Sequence, residues 1–180
     1  MASIDPSEIL LVDTDGLPVR FGDMSGDPLV VVFVRFFGSP SCQAFLTEVG
    51  DAVAARRFPP SARVVAIGGT SDENARSLRY DHGVRTPMLL DTEHRVRSLA
   101  EVGTLGPRLL DPRGASRYAA AVRCGNRPRR PTRDVTRAPG VAIFDRDRNV
   151  AWSYEGSFVG DFPDLDQLLE QVVTTAAAPS

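Results

Sequence analysis

The two cysteines of this chain are Cys42 and Cys124. The first closes the stretch Ser39-Pro40-Ser41-Cys42, between an apolar run, Leu29 to Val34, and an amphipathic segment, Gln43 to Arg57. With Ser39 as N-cap and Pro40 at the first helical position, Cys42 is the third helical residue. Free N–H groups and the helix dipole favour a thiolate there, below the ordinary thiol pKa of about 8.5. Such a sulfur is a nucleophile and a target for peroxide. The Ser39 hydroxyl is expected to cap the Cys42 N–H. The competing reading makes Cys42 a small buried hydrophobe.

Cys124 stands in Arg123-Cys124-Gly125. Neighbouring arginines favour its thiolate, and it could resolve a sulfenic acid on Cys42 within or between chains; the alternative is an incidental cysteine. His82 and His94 are the only histidines, twelve residues apart, without metal-ligand spacing. A Ser39 or Ser41 nucleophile with His82 as base can be drawn, against a solvent-facing His82 at a helix end. No Gly-rich nucleotide motif is present, and neither a metal nor a cofactor is expected. All 21 basic residues are Arg, which excludes lysine Schiff-base chemistry and a Walker-type phosphate loop.

The positioning elements follow from periodicity. Residues 9–12 and 17–21 flank Asp13-Thr14-Asp15-Gly16 as a β-hairpin. Strands are expected at about 29–35, 63–68 and 86–91, and helices over Gln43–Arg57, from Ser71 to Gly83, and over His94–Val102. Residues 104–137 carry several Pro and Gly and no clear period. A hairpin, 141–145 with 150–154, and a helix from Asp164 to Thr174 complete the order, before a frayed tail. The result is an α/β chain: a hairpin, then βαβαβα, then ββα.

At 180 residues, with ordinary hydrophobic and charged fractions of 42% and 24%, a single domain over 1–175 is expected, with a flexible tail at 176–180. No signal peptide and no run of membrane-span length is visible. A cytoplasmic protein without membrane contact is expected, its cysteines redox-active or inert rather than bridged.

Residues 105–137 hold nine Arg against Asp111 and Asp134, a net of +7 that leaves −9 for the rest of the chain. The asymmetry suggests an anionic partner: a phosphorylated or carboxylated substrate, a carrier protein, or the acidic remainder of a second copy in a homodimer. The alternative is a basic arm folded over its own acidic body. Nucleic acid is not expected, since no aromatic interleaving accompanies the charge.

The segment Phe33 to Cys42 resembles the active-site segment of the peroxiredoxin-like branch of the AhpC/TSA family, where Gly-Cys-Pro-x-Cys is usual and Ser39 takes the first Cys position. Further similar segments are Gly83 to Asp91, Gly140 to Asp145 and Gly160-Asp161-Phe162-Pro163. The resemblance covers about 17–172. It implies a thioredoxin-like fold, a central mixed sheet flanked by helices, with an N-terminal β-hairpin and the Arg-rich insertion, about 104–137, before the last strand pair. The dithiol pattern makes Cys42 the surviving resolving residue. The Pro-x-x-x-Thr/Ser-x-x-Cys pattern, with Arg35 at its Pro position, makes Cys42 the attacking one. The resemblance further implies an Arg at the thiolate, with Arg35 and Arg137 as candidates, and a cis-Pro beside the turn, with Pro139 as candidate. Phe37, Ser41 and Pro139 are the expected substrate contacts. The implied activity is thiol-dependent reduction of hydrogen peroxide or an organic peroxide, with a small-molecule substrate and a thiol reductant. A scaffold without redox function, reused as a biosynthetic enzyme or binding protein with the insertion as lid, is the rival.

Overall fold

The computed structural model describes residues 4–70, 72–81 and 83–178. The expected Ser71 helix start and the expected role of His82 lie outside them.

A chain rich in buried β-branched runs must pair those runs and cover them. The strands are β1 (Leu10–Asp13), β2 (Pro18–Arg20), β3 (Leu29–Phe33), β4 (Arg63–Gly68), β5 (Met88–Leu90), β6 (Gly140–Phe144) and β7 (Val150–Glu155). They form one mixed sheet in the order β2-β1-β5-β4-β3-β6-β7. The central β3, β4 and β5 are parallel, and β6 and β1 flank them antiparallel. Every residue of β3 is buried because helices and loops cover both sheet faces. Val30 and Val32 pack with Leu46, Val49 and Leu168 on one face, while Leu29, Val31 and Phe33 pack with Phe21, Val65 and Phe144 on the other.

The helices are α1 (Pro40–Ala54), α2 (Asp72–Asp81), α3 (Arg95–Leu99), α4 (Pro112–Arg123) and α5 (Leu165–Ala176). Helix α1 starts at Pro40 rather than Gln43 and stops before Arg56, whose φ of 57° breaks it. Helix α3 is shorter than expected, because His94 and Glu101 take left-handed backbone (φ 57° and 56°) at its two ends. Helix α5 continues through Thr174 and Thr175 to Ala176, where fraying was expected.

The main correction concerns residues 104–137. They contain a regular helix, α4, which starts where the Asp111 side chain accepts the Arg113 N–H and Pro112 takes the first turn. The insertion is closed at its base by a Thr104–Arg137 bridge and by hydrogen bonds from Leu105 N to Thr136 O (2.8 Å) and from Ala138 N to Gly103 O (3.1 Å). The Pro139 peptide is trans; the cis peptide among the described residues is Asp27–Pro28. No helix among the described residues is long and apolar enough to cross a membrane.

Candidate functional site at the start of α1

The turn after β3 delivers Ser39 as the N-cap of α1 and Pro40 as its first residue, so Cys42 is third, as the spacing requires. The Ser39 hydroxyl makes no capping bond, against expectation. It is buried and has no hydrogen-bond partner, and the same holds for the Ser41 Oγ. Cys42 is wholly buried among Val34, Phe37, Leu46 and their neighbours, with its thiol free.

Two buried arginines carry charge to this turn. Arg35 follows β3, and its Nε donates to Val135 O at 2.8 Å, joined by Nη2 on the same carbonyl. Burial lowers its pKa, and the charges of Cys42 and Tyr118 oppose that shift. Arg97, from α3, donates from Nη1 to Ala138 O (2.6 Å) and from Nη2 to Val34 O (2.8 Å), with its guanidinium 5.1 Å from the Phe33 ring centroid. Burial, reinforced by Arg137, brings Arg97 down to about 10, while Cys42, Asp91 and Asp134 pull the other way. Arg35 and Arg97 are therefore two buried guanidinium groups on which the charge of Cys42 acts. Arg97 was not legible in the sequence, because a lone Arg in an amphipathic helix reads as a solvated face.

Arg137 is placed one step further out, where its charge acts on His94 and Arg97. Beside it, buried Asp134 accepts from Thr70 Oγ1 (2.8 Å) and pairs with His94 Nε2 at 3.1 Å. Gly69 makes room for this carboxylate; a methyl group there would overlap it. Burial, then Arg137, lowers the His94 pKa, and Asp134 partly offsets them. The His94–Asp134 pair spans forty residues and had no signal in the sequence.

The segment 126–137 lies across the turn as a strap. Arg129 N donates to Gly38 O at 3.0 Å, and Gln43 Nε2 donates to Arg127 O at 3.1 Å. Asn74 Nδ2 donates to Arg130 O at 3.3 Å, and Arg35 holds Val135. The basic arm thus folds back on its own chain.

The remaining predicted residues separate. Phe37 is 1% exposed, with its ring pressed on Gly68 and its carbonyl accepting from Gln43 Nε2. Pro139 is buried, and its carbonyl accepts from Gly156 N at 2.8 Å. Ser41 and Cys124 line one cleft of about 320 Å³ between α1 and α4. Cys124 is exposed at the C-terminus of α4. Cys42 belongs to the core-facing side of α1 with Leu46 and Val49, whereas Ser41, Ala44, Phe45 and Glu48 line the cleft. A larger hollow, about 770 Å³, is lined by Asp13, Arg63, Arg79 and Pro87, near the starts of β4 and β5. It lies away from the carboxyl end of β3, where ligands of parallel sheets bind, and includes none of the expected site residues.

No protein-family model matches the sequence, and no curated protein matches it. Solved structures do. Peroxiredoxin Q of Xanthomonas campestris aligns with TM-score 0.63 at 10% identity over 95% of this chain and 93% of its own. A peroxiredoxin-like protein from Aquifex aeolicus aligns with TM-score 0.62 at 12% identity over 92% and 82%. A secreted disulfide oxidoreductase of Mycobacterium tuberculosis aligns with TM-score 0.55 at 15% identity over 96% and 99%. The fold is thioredoxin-like, with a central mixed sheet flanked by helices.

Proposed function

We propose that the protein is a thiol-dependent oxidoreductase, a peroxiredoxin-like peroxidase that reduces hydrogen peroxide or an organic peroxide through Cys42. The observation supporting this reading is the position of Cys42, third in α1 and within the electrostatic reach of Arg35 and Arg97. A thiolate at this place would meet two guanidinium charges and the partial positive charge of a helix N-terminus. The thiolate attacks one peroxide oxygen and the O–O bond breaks. The departing oxygen takes up a proton and leaves as water or an alcohol. The sulfur, oxidised by two electrons, keeps the other oxygen as sulfenic acid. Arg35 and Arg97 stabilise the charge that builds on the leaving oxygen. Because Cys42 has no exposed surface, the turn must open for peroxide to enter. Cys124, after the turn has opened, or an external thiol condenses with the sulfenic acid to a disulfide and water, and further external thiol reduces that disulfide to the Cys42 thiol.

One observation favours a second reading. Cys42 has no exposed surface, and Ser39 stands where the dithiol pattern has its attacking sulfur. These support a scaffold without thiol turnover, a biosynthetic enzyme or binding protein whose strap acts as lid. Peroxide consumption with a thiol reductant separates the two readings, run on wild type, Cys42→Ser and Cys124→Ser with intact mass. Turnover lost only in Cys42→Ser is expected of a one-cysteine peroxidase, and loss in both variants assigns Cys124 as resolver. A wild type with neither turnover nor oxidised mass rejects the peroxidase in favour of the second reading.

A further inference from the structure

The cleft between α1 and α4 is chemically asymmetric along its length. At one end stand Ser41, in the first turn of α1, and Arg117. Ser41 is 7% exposed and its Oγ has no partner, so a ligand acceptor there would satisfy a buried donor. The partial positive charge of the fifteen-residue α1 adds to that of Arg117. Gly160 lies against Ser41 at this end: a Cβ there would stand 2.7 Å from Ser41 Cβ and 3.0 Å from its Oγ, so no larger residue fits. At the other end stand Glu48 and Asp164. Asp164 opens α5 without using its carboxylate as a cap. The side chains of Glu48, Asp164 and Arg117 take part in no hydrogen bond or ion pair among the described residues.

The floor between the two ends is apolar. Phe45 and Phe162 stack with centroids 4.3 Å apart and planes 5° from parallel, and Ala120 and Ala121 form the α4 side. Ser41 and Glu48 are seven residues apart on one helix, which is ~10 Å at ~1.5 Å per residue. An extended peptide advances ~3.3 Å per residue, so three residues span the same length. The volume of about 320 Å³ suits a small ligand rather than a protein segment. The exposed Cys124 thiol lines the same cleft.

We propose that this cleft binds a short zwitterionic peptide of two or three residues in its disulfide form, and that Cys124 is the sulfur that exchanges with it. The ligand carboxylate meets Arg117 and Ser41 Oγ, and its ammonium meets Glu48 and Asp164. The Cys124 thiolate attacks one sulfur of the bound disulfide. That S–S bond breaks, a new one forms between Cys124 and the attacked half, and the other half leaves as a thiolate that takes up the proton Cys124 gave up. One disulfide replaces another, so the peptide disulfide is the only co-reactant. The proposal does not depend on Cys42, and its test uses no peroxide.

The test compares glutathione disulfide, whose halves are zwitterionic tripeptides, with neutral bis(2-hydroxyethyl) disulfide, reading adduct formation by intact mass and peptide mapping. Rates are normalised to those of the urea-unfolded protein. In the folded protein the peptide disulfide should be preferred by about tenfold, the scale of one charge-assisted contact. Arg117→Gln and Glu48→Gln should each remove most of that preference, read as the ratio of the two disulfides' rates. A second measurement needs only wild type: S-methylglutathione should protect Cys124 from iodoacetamide. No preference and no protection, or an adduct on Cys42 in place of Cys124, would overturn the proposal.

Discussion

The Cys42 thiol is wholly buried and the Asp134 carboxylate is 3% exposed. Asp134 holds the strap by accepting from Thr70 and pairing with His94, in a space that exists because residue 69 has no side chain. Gly69→Ala should therefore push Asp134 out and destabilise the fold by about 1–3 kcal/mol, as overpacked sites do. The urea midpoint measures it, and an unchanged midpoint would mean that Asp134 is not fixed where it stands. The two orphaned hydroxyls of the turn, on Ser39 and Ser41, were expected as a cap and a substrate contact. The sequence shows that a Ser precedes the helix; it does not show which way the hydroxyl turns once the fold encloses it.

Among the elements, α4 and the strap that follows it decide what the site can do. The strap is fastened by the Arg129 N–H on the Gly38 carbonyl and by the Arg35 side chain on Val135. Arg35→Met keeps the bulk of the side chain and removes the donor. Trypsin should then cut after Arg129, Arg133 or Arg137 faster than in wild type, with cleavage elsewhere unchanged. Equal rates at these sites would show that the Arg35–Val135 contact does not hold the strap. Helix α4 carried local signals, Asp111-Pro112 as a start and the Ala-rich stretch from Ala119 to Val122. The flanking Pro and Gly and the dense Arg masked them in a reading by hydrophobic period.

For the whole molecule, the insertion and the sheet meet at His94, and that contact makes stability depend on pH. His94 has a folded pKa below its ordinary value of about 6.5, first through burial and then through Arg137. The unfolded chain therefore binds the extra proton more readily. Stability should fall as pH drops from about 6.5 towards the lowered folded pKa and level off below it. Comparing urea midpoints at pH 7.5 and 5.5 measures this, and His94→Gln should lose part of the difference. An identical difference in the variant would place the dependence elsewhere.

The sequence by itself determined the order of strands and helices, the position of Cys42 in the first turn of α1 and the charge imbalance of the insertion. These depend on short-range spacing: apolar runs long enough to bury, Ser-Pro at a helix start, Arg clustered in one stretch. Only the tertiary structure decided that Cys42 is wholly buried, that its charge acts on Arg35 and Arg97 while Arg137 stands by His94, and that Ser41 rather than Cys42 shares a cleft with Cys124. The reason is physical. Burial and charge at a site are sums over groups brought together from distant parts of the chain. Val34 and Ala138 meet at Arg97, Thr70 and His94 meet at Asp134, and no local pattern records those meetings.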